Sequence, residues 1–289
     1  MECEKYLWGK EFVSKDEINI DLHDRGYTFG DGIYEVIHAY NGKLFGKKEH
    51  LDRLERSADL IELNLKCTRE ELDQLCDDFV EVNNITDGYI YVQVTRGDKI
   101  TRNHKSPFYD DQVPVFSGFA VDGKRNKESI YAPSTAVTYD DLRGELCHVK
   151  SLNLLPNILA AHHAQKKNAR KAILIRDNVV TEEKSGNVLI VKNDTIYTHP
   201  DGPHILPGIT KMTIKRACED NGISYVERTF TKEELFDADE VIVVDTGTET
   251  AAIVEIDGKK ICDGNRGPWA EKIQDLYEKE IEKECGSLN

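Results

Sequence analysis

Apolar and polar positions follow two different rhythms along this chain. Leu51, Leu54, Ala58, Ile61 and Leu65 recur at helical spacing, so residues 49–65 read as an amphipathic helix, with Arg53 and Arg56 set among the stripe. Thr68 and Glu71 make a capping box that starts a second helix, running to about residue 82. Residues 88–97 alternate as a strand does, and 113–121 reads as another strand. Further along, 172–176, 187–191 and 241–244 are short β-branched strands, while 157–161 opens one helix and 210–221 forms another. Nearer the N-terminus, 6–8 and 17–20 have strand composition, and so does 33–39, after a run holding Gly26, Gly30 and Gly32.

Two helices between strands predict a small α+β domain over residues 1–121. The polar, turn-rich stretch 122–130 serves as the linker, and 131–289 forms a larger domain. At 289 residues the chain is long enough for each domain to have its own core.

Charge and cysteine usage narrow the function classes. Thirty-eight Lys+Arg against 53 Asp+Glu give a net charge of -15, which argues against a nucleic-acid surface and against an anionic membrane as partner. The seven cysteines are scattered without a Cys-x-x-Cys pair, and no N-terminal apolar run has the length of a signal peptide or membrane span. This usage predicts a reducing cytoplasm. No metal is expected, because His162 and His163 are adjacent and no Cys or His stands at ligand spacing from them.

The candidate chemistry starts at Lys150. Residues 146–149 before it have extended-strand composition and a helix begins shortly after it, a junction where a lysine can hold its amine inside a cleft. Partial desolvation there would favour the neutral amine, the form that attacks a carbonyl carbon, although most lysines are solvated. Glu182 lies in a loop between two strands; if buried, it needs a cationic or N–H partner, and a protonated ring nitrogen is one. Pro207-Gly208-Ile209-Thr210 leads into a helix with a hydroxyl and free amides suited to a phosphate, or to a simple N-cap. Asp245-Thr246-Gly247-Thr248 offers a second set of hydroxyls and amides. Arg102 and His104 can project to one side of an extended segment and grip a carboxylate, but pattern alone favours a basic surface loop. Gly30-Asp31-Gly32 lacks the third glycine and the following helix of a dinucleotide loop.

In order and approximate spacing, Asp24-Arg25-Gly26 through Gly30-Asp31-Gly32-Ile33-Tyr34-Glu35, His50-Leu51-Asp52-Arg53-Leu54, Lys150-Ser151-Leu152-Asn153, Thr181-Glu182 and Gly208-Ile209-Thr210 resemble the fold type IV pyridoxal-phosphate aminotransferases. The resemblance covers nearly the whole chain. It implies a two-domain fold, a small N-terminal α+β domain and a larger C-terminal domain with a β-barrel-like sheet and flanking helices. It also implies pyridoxal 5'-phosphate as cofactor. Lys150 would be the Schiff-base lysine, Glu182 the partner of the ring nitrogen, Arg53, Ile209, Thr210 and Thr246 the phosphate ligands, and Tyr34, Arg102 and His104 the holders of the substrate carboxylate. A homodimer is implied too, with Arg102 and His104 reaching into the partner's site.

Within the family, Val94-Thr95-Arg96-Gly97 followed by Arg102-x-His104, the run 150–155, and Tyr197-Thr198-His199-Pro200 resemble the branch that transaminates D-amino acids such as D-alanine and D-glutamate with 2-oxo acids. Branched-chain L-amino-acid aminotransferases and aminodeoxychorismate lyases share the fold and are the alternatives. The chain departs from its relatives at Glu183-Lys184-Ser185-Gly186, where they usually begin Gly-Ser, and by one extra residue before Arg102.

Overall fold

Most of the helix and strand signals that depend on near neighbours fall where the pattern places them, with exceptions at the end of the first long helix and at residues 17–20. A computed structural model describes residues 1–97, 102–105 and 112–288. They divide into two compact units, one made of residues 1–125, 149–153 and 283–289, the other of 126–148 and 154–282. The first division falls after Arg125, inside the stretch read as a linker, but the second unit begins directly with a helix, and residues 149–153 return to the first unit.

The first unit contains β1 (Tyr6–Trp8), β2 (Glu11–Val13), α1 (Arg25–Phe29), β3 (Gly32–Tyr40), β4 (Lys43–Leu44), α2 (Lys47–Leu60), α3 (Arg69–Val82), β5 (Gly88–Thr95) and β6 (Val115–Asp122). Its strands form a six-stranded antiparallel sheet in the order β2-β1-β6-β5-β3-β4. Alternation decides which face is covered. Ile33, Ile37, Ile90, Val92, Val94, Phe116 and Ala120 are buried with Leu51 and Leu54 of α2 and Leu72 and Phe79 of α3, while Tyr34, Tyr91 and Phe119 on the other face are half-buried and stack in series. The Thr68–Glu71 capping box forms as expected. Helix α2 stops at Leu60, short of residue 65, because Glu62 takes a left-handed φ of 52° and turns the chain; Leu63 and Leu65 still reach the core, but from a loop. Residues 17–20 are not a strand. Ser14 caps a single 3-10 turn over Lys15–Glu17, and Ile20 is exposed.

The second unit holds α4 (Lys127–Tyr131), β7 (Ser134–Asp140), α5 (Leu155–Lys166), β8 (Lys171–Arg176), β9 (Val179–Glu183), β10 (Asn187–Lys192), β11 (Thr195–Thr198), α6 (Ile209–Asp220), β12 (Tyr225–Glu227), α7 (Lys232–Phe236), β13 (Glu240–Asp245), β14 (Glu249–Ile256), β15 (Lys259–Lys260) and most of α8 (Pro268–Cys285). Its nine-stranded sheet runs β12-β11-β10-β13-β14-β7-β8-β9, with β15 on β14. The sheet curls, so that β9 comes back beside β10, from which a short turn separates it in sequence. The core lies inside the curl, where Val180, Val188, Ile190, Val241, Val243, Ile253 and Phe230 are buried together. Helix α5 is unusual. It buries only Ala160 and Ala164 against β7 and β8 and leaves Leu155, Ile158 and Leu159 exposed.

Candidate active site

Lys150 does not end a strand. Residues 141–150 are irregular, and the chain is held beside β3 by two backbone bonds: the Tyr34 amide donates to the Lys150 carbonyl at 3.0 Å, and the Leu152 amide to the Gly32 carbonyl at 3.0 Å. An isolated bridge between Ile33 and Ser151 completes this contact. The amide of Lys150 donates to the buried Ser57 hydroxyl of α2 at 3.3 Å. These anchors fix the backbone on both sides, so the side chain has a defined origin. The ammonium of Lys150 stands 4.3 Å from the centroid of the Tyr34 ring, a cation–π contact that joins two residues singled out from the sequence.

Below them, α2 carries a buried charge relay. Glu35 accepts from Arg53 Nε at 2.7 Å and Nη2 at 2.8 Å, and its second oxygen also meets His50 Nδ1 at 2.7 Å. Burial works against ionising Glu35, but the Arg53 charge and the hydrogen bonds from Arg53 and His50 hold its carboxyl well below the usual range. For His50, burial dominates and lowers its pKa, so the ring is a neutral partner at pH 7 and the bidentate Arg53 fork is what keeps Glu35 ionised. Arg53 is thus a fixed cation on a packed helix, oriented by a glutamate that strand alternation turns inward.

Glu182, near the end of β9, is buried in the second unit. Its Oε1 accepts from Arg143 Nη1, and its Oε2 from Asn187 Nδ2 at 3.1 Å and the Leu206 amide at 3.0 Å. Burial pushes the Glu182 carboxyl up to about 7, against the opposing pull of Arg143 and the Leu206 amide. Arg143 is itself gripped by Asp141, from Nε at 2.9 Å and Nη2 at 2.8 Å. Burial alone would lower the guanidinium's pKa; the Asp141 hydrogen bond and the charges of Glu182 and Asp141 hold it well above its usual value.

Helix α6 begins at Gly208 with Ile209 and Thr210 in its first turn, both buried, and no side chain caps its amides. A Cβ on Gly208 would stand 2.1 Å from Asn187 Oδ1, so only glycine lets the helix start this close to the amide that orients Glu182. The Thr210 hydroxyl lies 3.5 Å from that of Tyr277. In the loop after β13, the amides of Gly247 and Thr248 both donate to Asp245 Oδ1, at 2.8 and 2.7 Å, so they are committed within the turn. Lys171 locks that turn from β8, its amine 2.8 Å from Asp245 Oδ2, and Thr246 is half-buried within it.

Two further sequence features lie one in each unit. Arg102 and His104 both meet the Phe29 ring, the guanidinium 4.8 Å from its centroid and the imidazole edge-on at 5.5 Å. Glu183, the departure beside Glu182, is fully buried and accepts from the Ala172 amide at 3.2 Å and the Ser185 amide at 2.8 Å. It pins the turn into β10. Arg143, Asn187 and Lys171 carry much of this geometry without having been singled out. The only sequence signal for any of them is Asn187 opening an otherwise apolar strand, where asparagine is depleted.

Each unit by itself offers donors of the kind pyridoxal phosphate needs: the first a π-facing amine at Lys150, the second a buried carboxylate at Glu182 for a ring nitrogen and an uncapped helix start after Gly208 for a phosphate. Residues 32–256 match the family described as amino-transferase class IV. D-alanine aminotransferase of Staphylococcus haemolyticus is 45% identical over 94% of this chain and 96% of its own length, and that of Listeria monocytogenes 42% identical over 98% of both. Among solved structures, the branched-chain amino acid aminotransferase from Escherichia coli superposes with a TM-score of 0.88 at 21% identity, covering 99% of this chain and 96% of that one, which shows the fold. The Thermoproteus uzoniensis branched-chain aminotransferase matches with a TM-score of 0.84 at 28% identity, over 95% and 93%. With the family matched over residues 32–256 and relatives 40% or more identical spanning nearly the whole length, the chain belongs to the class IV aminotransferases, and its fold is fold type IV.

Proposed function

We propose that the chain is a pyridoxal-phosphate-dependent D-amino-acid transaminase, moving an amino group between D-amino acids such as D-alanine and D-glutamate and 2-oxo acids such as pyruvate and 2-oxoglutarate. The near full-length likeness to relatives named D-alanine aminotransferase carries this reading. When bound, pyridoxal phosphate supplies a carbonyl carbon that condenses with amines and a ring that accepts electron density from the substrate's α-carbon. Lys150 would hold the cofactor's carbonyl carbon through its amine, with loss of water, and, when free, that amine would be the base that takes the substrate's α-proton and the acid that gives it back. Glu182 keeps a proton on the ring nitrogen, aimed by Arg143, Asn187 and the Leu206 amide. Ile209, Thr210, Arg53 and Thr246 hold the phosphate, and Tyr34, Arg102 and His104 orient the substrate carboxylate. The first oxo acid leaves before the second binds.

The enzyme works as a homodimer in this reading, with Arg102 and His104 serving the partner's site. The exposed Leu155, Ile158 and Leu159 on α5 support an interface, since a large apolar helix face is stable only when covered. The seven free thiols suit a reducing cytoplasm.

Absorbance of the purified holoenzyme tests the proposal. Its visible band should bleach with D-alanine far faster than with L-leucine, and borohydride should link cofactor to Lys150 but not to a Lys150→Ala variant. Faster bleaching by L-leucine would transfer the chain to the branched-chain reading, and trapping at another lysine would remove Lys150 from its role.

A further inference from the structure

Phe29 is the last residue of α1, a five-residue helix, and it is half-buried without belonging to the apolar core of its unit. Its ring instead meets two guanidinium groups and an imidazole. Arg25 stands 4.7 Å from the centroid, Arg102 4.8 Å, and His104 meets it at 5.5 Å with the rings inclined by 71°. A phenylalanine outside a core, touched by three such groups, is placed for its π face rather than for its area.

The helix that presents the ring is braced far more than five residues require. Buried Asp24 caps it, accepting from the Gly26 amide at 2.7 Å, and its other oxygen accepts from the Thr95 hydroxyl of β5 at 2.7 Å. Gly30 closes it in the left-handed conformation at φ 66°. Arg25 donates to Asp31 at 2.8 Å and Arg96 to the same carboxylate at 3.0 Å, while Arg96 also donates to the Ile61 and Glu62 carbonyls behind α2. Phe29 therefore sits on a rigid mount tied to β5 and α2. Arg102 and His104, by contrast, are exposed, and among the described residues Phe29 is the ring that both meet.

We propose that Phe29 is a positioning residue for the substrate-carboxylate clamp, its ring holding the Arg102 guanidinium and the His104 imidazole in one arrangement before substrate arrives. The inference rests on the reading that Arg102 and His104 bind the carboxylate. A guanidinium stacked on an aromatic face has fewer rotamers to lose when it binds, so the ring acts on affinity for carboxylate-bearing substrates and not on the proton transfer.

The test compares Phe29→Leu, which keeps apolar bulk but removes the π face, with Phe29→Trp, which restores it. The expected result for the Phe29→Leu holoenzyme is a KM for D-alanine raised about three- to tenfold with kcat within about twofold of wild type, and recovery of KM in Phe29→Trp. In the same variants without substrate, hydrogen exchange of the amides at 102–105 should quicken for Phe29→Leu and return towards wild type for Phe29→Trp. Unchanged KM and exchange in Phe29→Leu, or equal damage in both variants, would overturn the proposal in favour of simple packing. Arg102→Ala separates the two layers. If it raises the D-alanine KM about tenfold or more while Phe29→Leu does not, the positioning role alone fails; if it leaves KM unaltered, the carboxylate assignment fails and takes the proposal with it.

Discussion

Burial sets the behaviour of Glu182 before any ligand is considered. Its carboxyl is raised from an ordinary 4.5 to about 7, so the folded cofactor-free protein binds a proton that the unfolded chain releases. Stability from this group is fully present below about 4.5 and is lost as pH rises through about 7. The unfolding free energy of the cofactor-free protein, read from urea titrations, should fall between pH 5 and pH 8 by more in wild type than in Glu182→Gln, the difference being on the order of 1–3 kcal/mol. Parallel pH profiles for the two proteins would mean that Arg143 keeps Glu182 ionised throughout. With pyridoxal phosphate bound, the same variant should slow α-proton transfer far more than it weakens binding of a substrate analogue, because only the charged carboxylate favours a protonated ring. At this scale the sequence reveals groups whose chemistry is conspicuous, such as Lys150, Glu182 and Thr210. It hides the residues that aim them. Arg143 lies 39 positions from Glu182 and Lys171 74 positions from Asp245, and such pairings exist only once the strands have assembled into the sheet.

Elements were legible where their signals are local. The capping box of α3, the apolar stripe of α2 and the alternation of β5 involve residues within one or two turns of each other, and each element forms on its pattern, α2 ending five residues before its stripe does. Residues 146–149 have strand composition but find no long partner, and the two bonds to Gly32 and Tyr34 suffice to hold Lys150 without a ladder. Residues 17–20 lose to Ser14, whose capping of a 3-10 turn is a competing local bond. Packing between elements makes one sharp prediction. Gly208→Ala would drive a methyl into Asn187 Oδ1, displacing the amide that donates to Glu182 and, at 2.9 Å, to the Leu206 carbonyl. A single added carbon in α6 should therefore disturb the carboxylate on β9. Urea unfolding should show a loss of about 1–3 kcal/mol, and titration with pyridoxal phosphate about tenfold weaker binding. A Gly208→Ala variant that binds the cofactor as wild type does would show that the helix start can shift without disturbing Asn187.

At the scale of the whole molecule the question is whether one chain completes its own clamp. Helix α5 exposes Leu155 at 69%, Ile158 at 61% and Leu159 at 43%, on a chain whose net charge of -15 would otherwise keep copies apart, so an apolar seam is needed for pairing. The proposed dimer should run in sedimentation at about twice the 32.8 kDa of the chain, and Leu155→Glu with Ile158→Glu should give monomers. Complementation tells more than mass does. If Arg102 and His104 act in the partner's site, Lys150→Ala and Arg102→Ala chains are each severely impaired alone, but a hybrid of the two has one site with both residues intact and one with neither. Random assembly of equal amounts makes half of the dimers hybrid, each with one working site of two, so the mixture should recover about one quarter of wild-type turnover of D-alanine at subsaturating substrate. If the clamp acts within its own chain, every site in every dimer lacks one of the two residues, and mixing gives no more than the average of the parent variants. Turnover must be followed after the chains are refolded together or co-expressed, so that subunits exchange. No gain above the parents, with hybrids shown to be present by native mass spectrometry, would confine Arg102 and His104 to the chain that carries them.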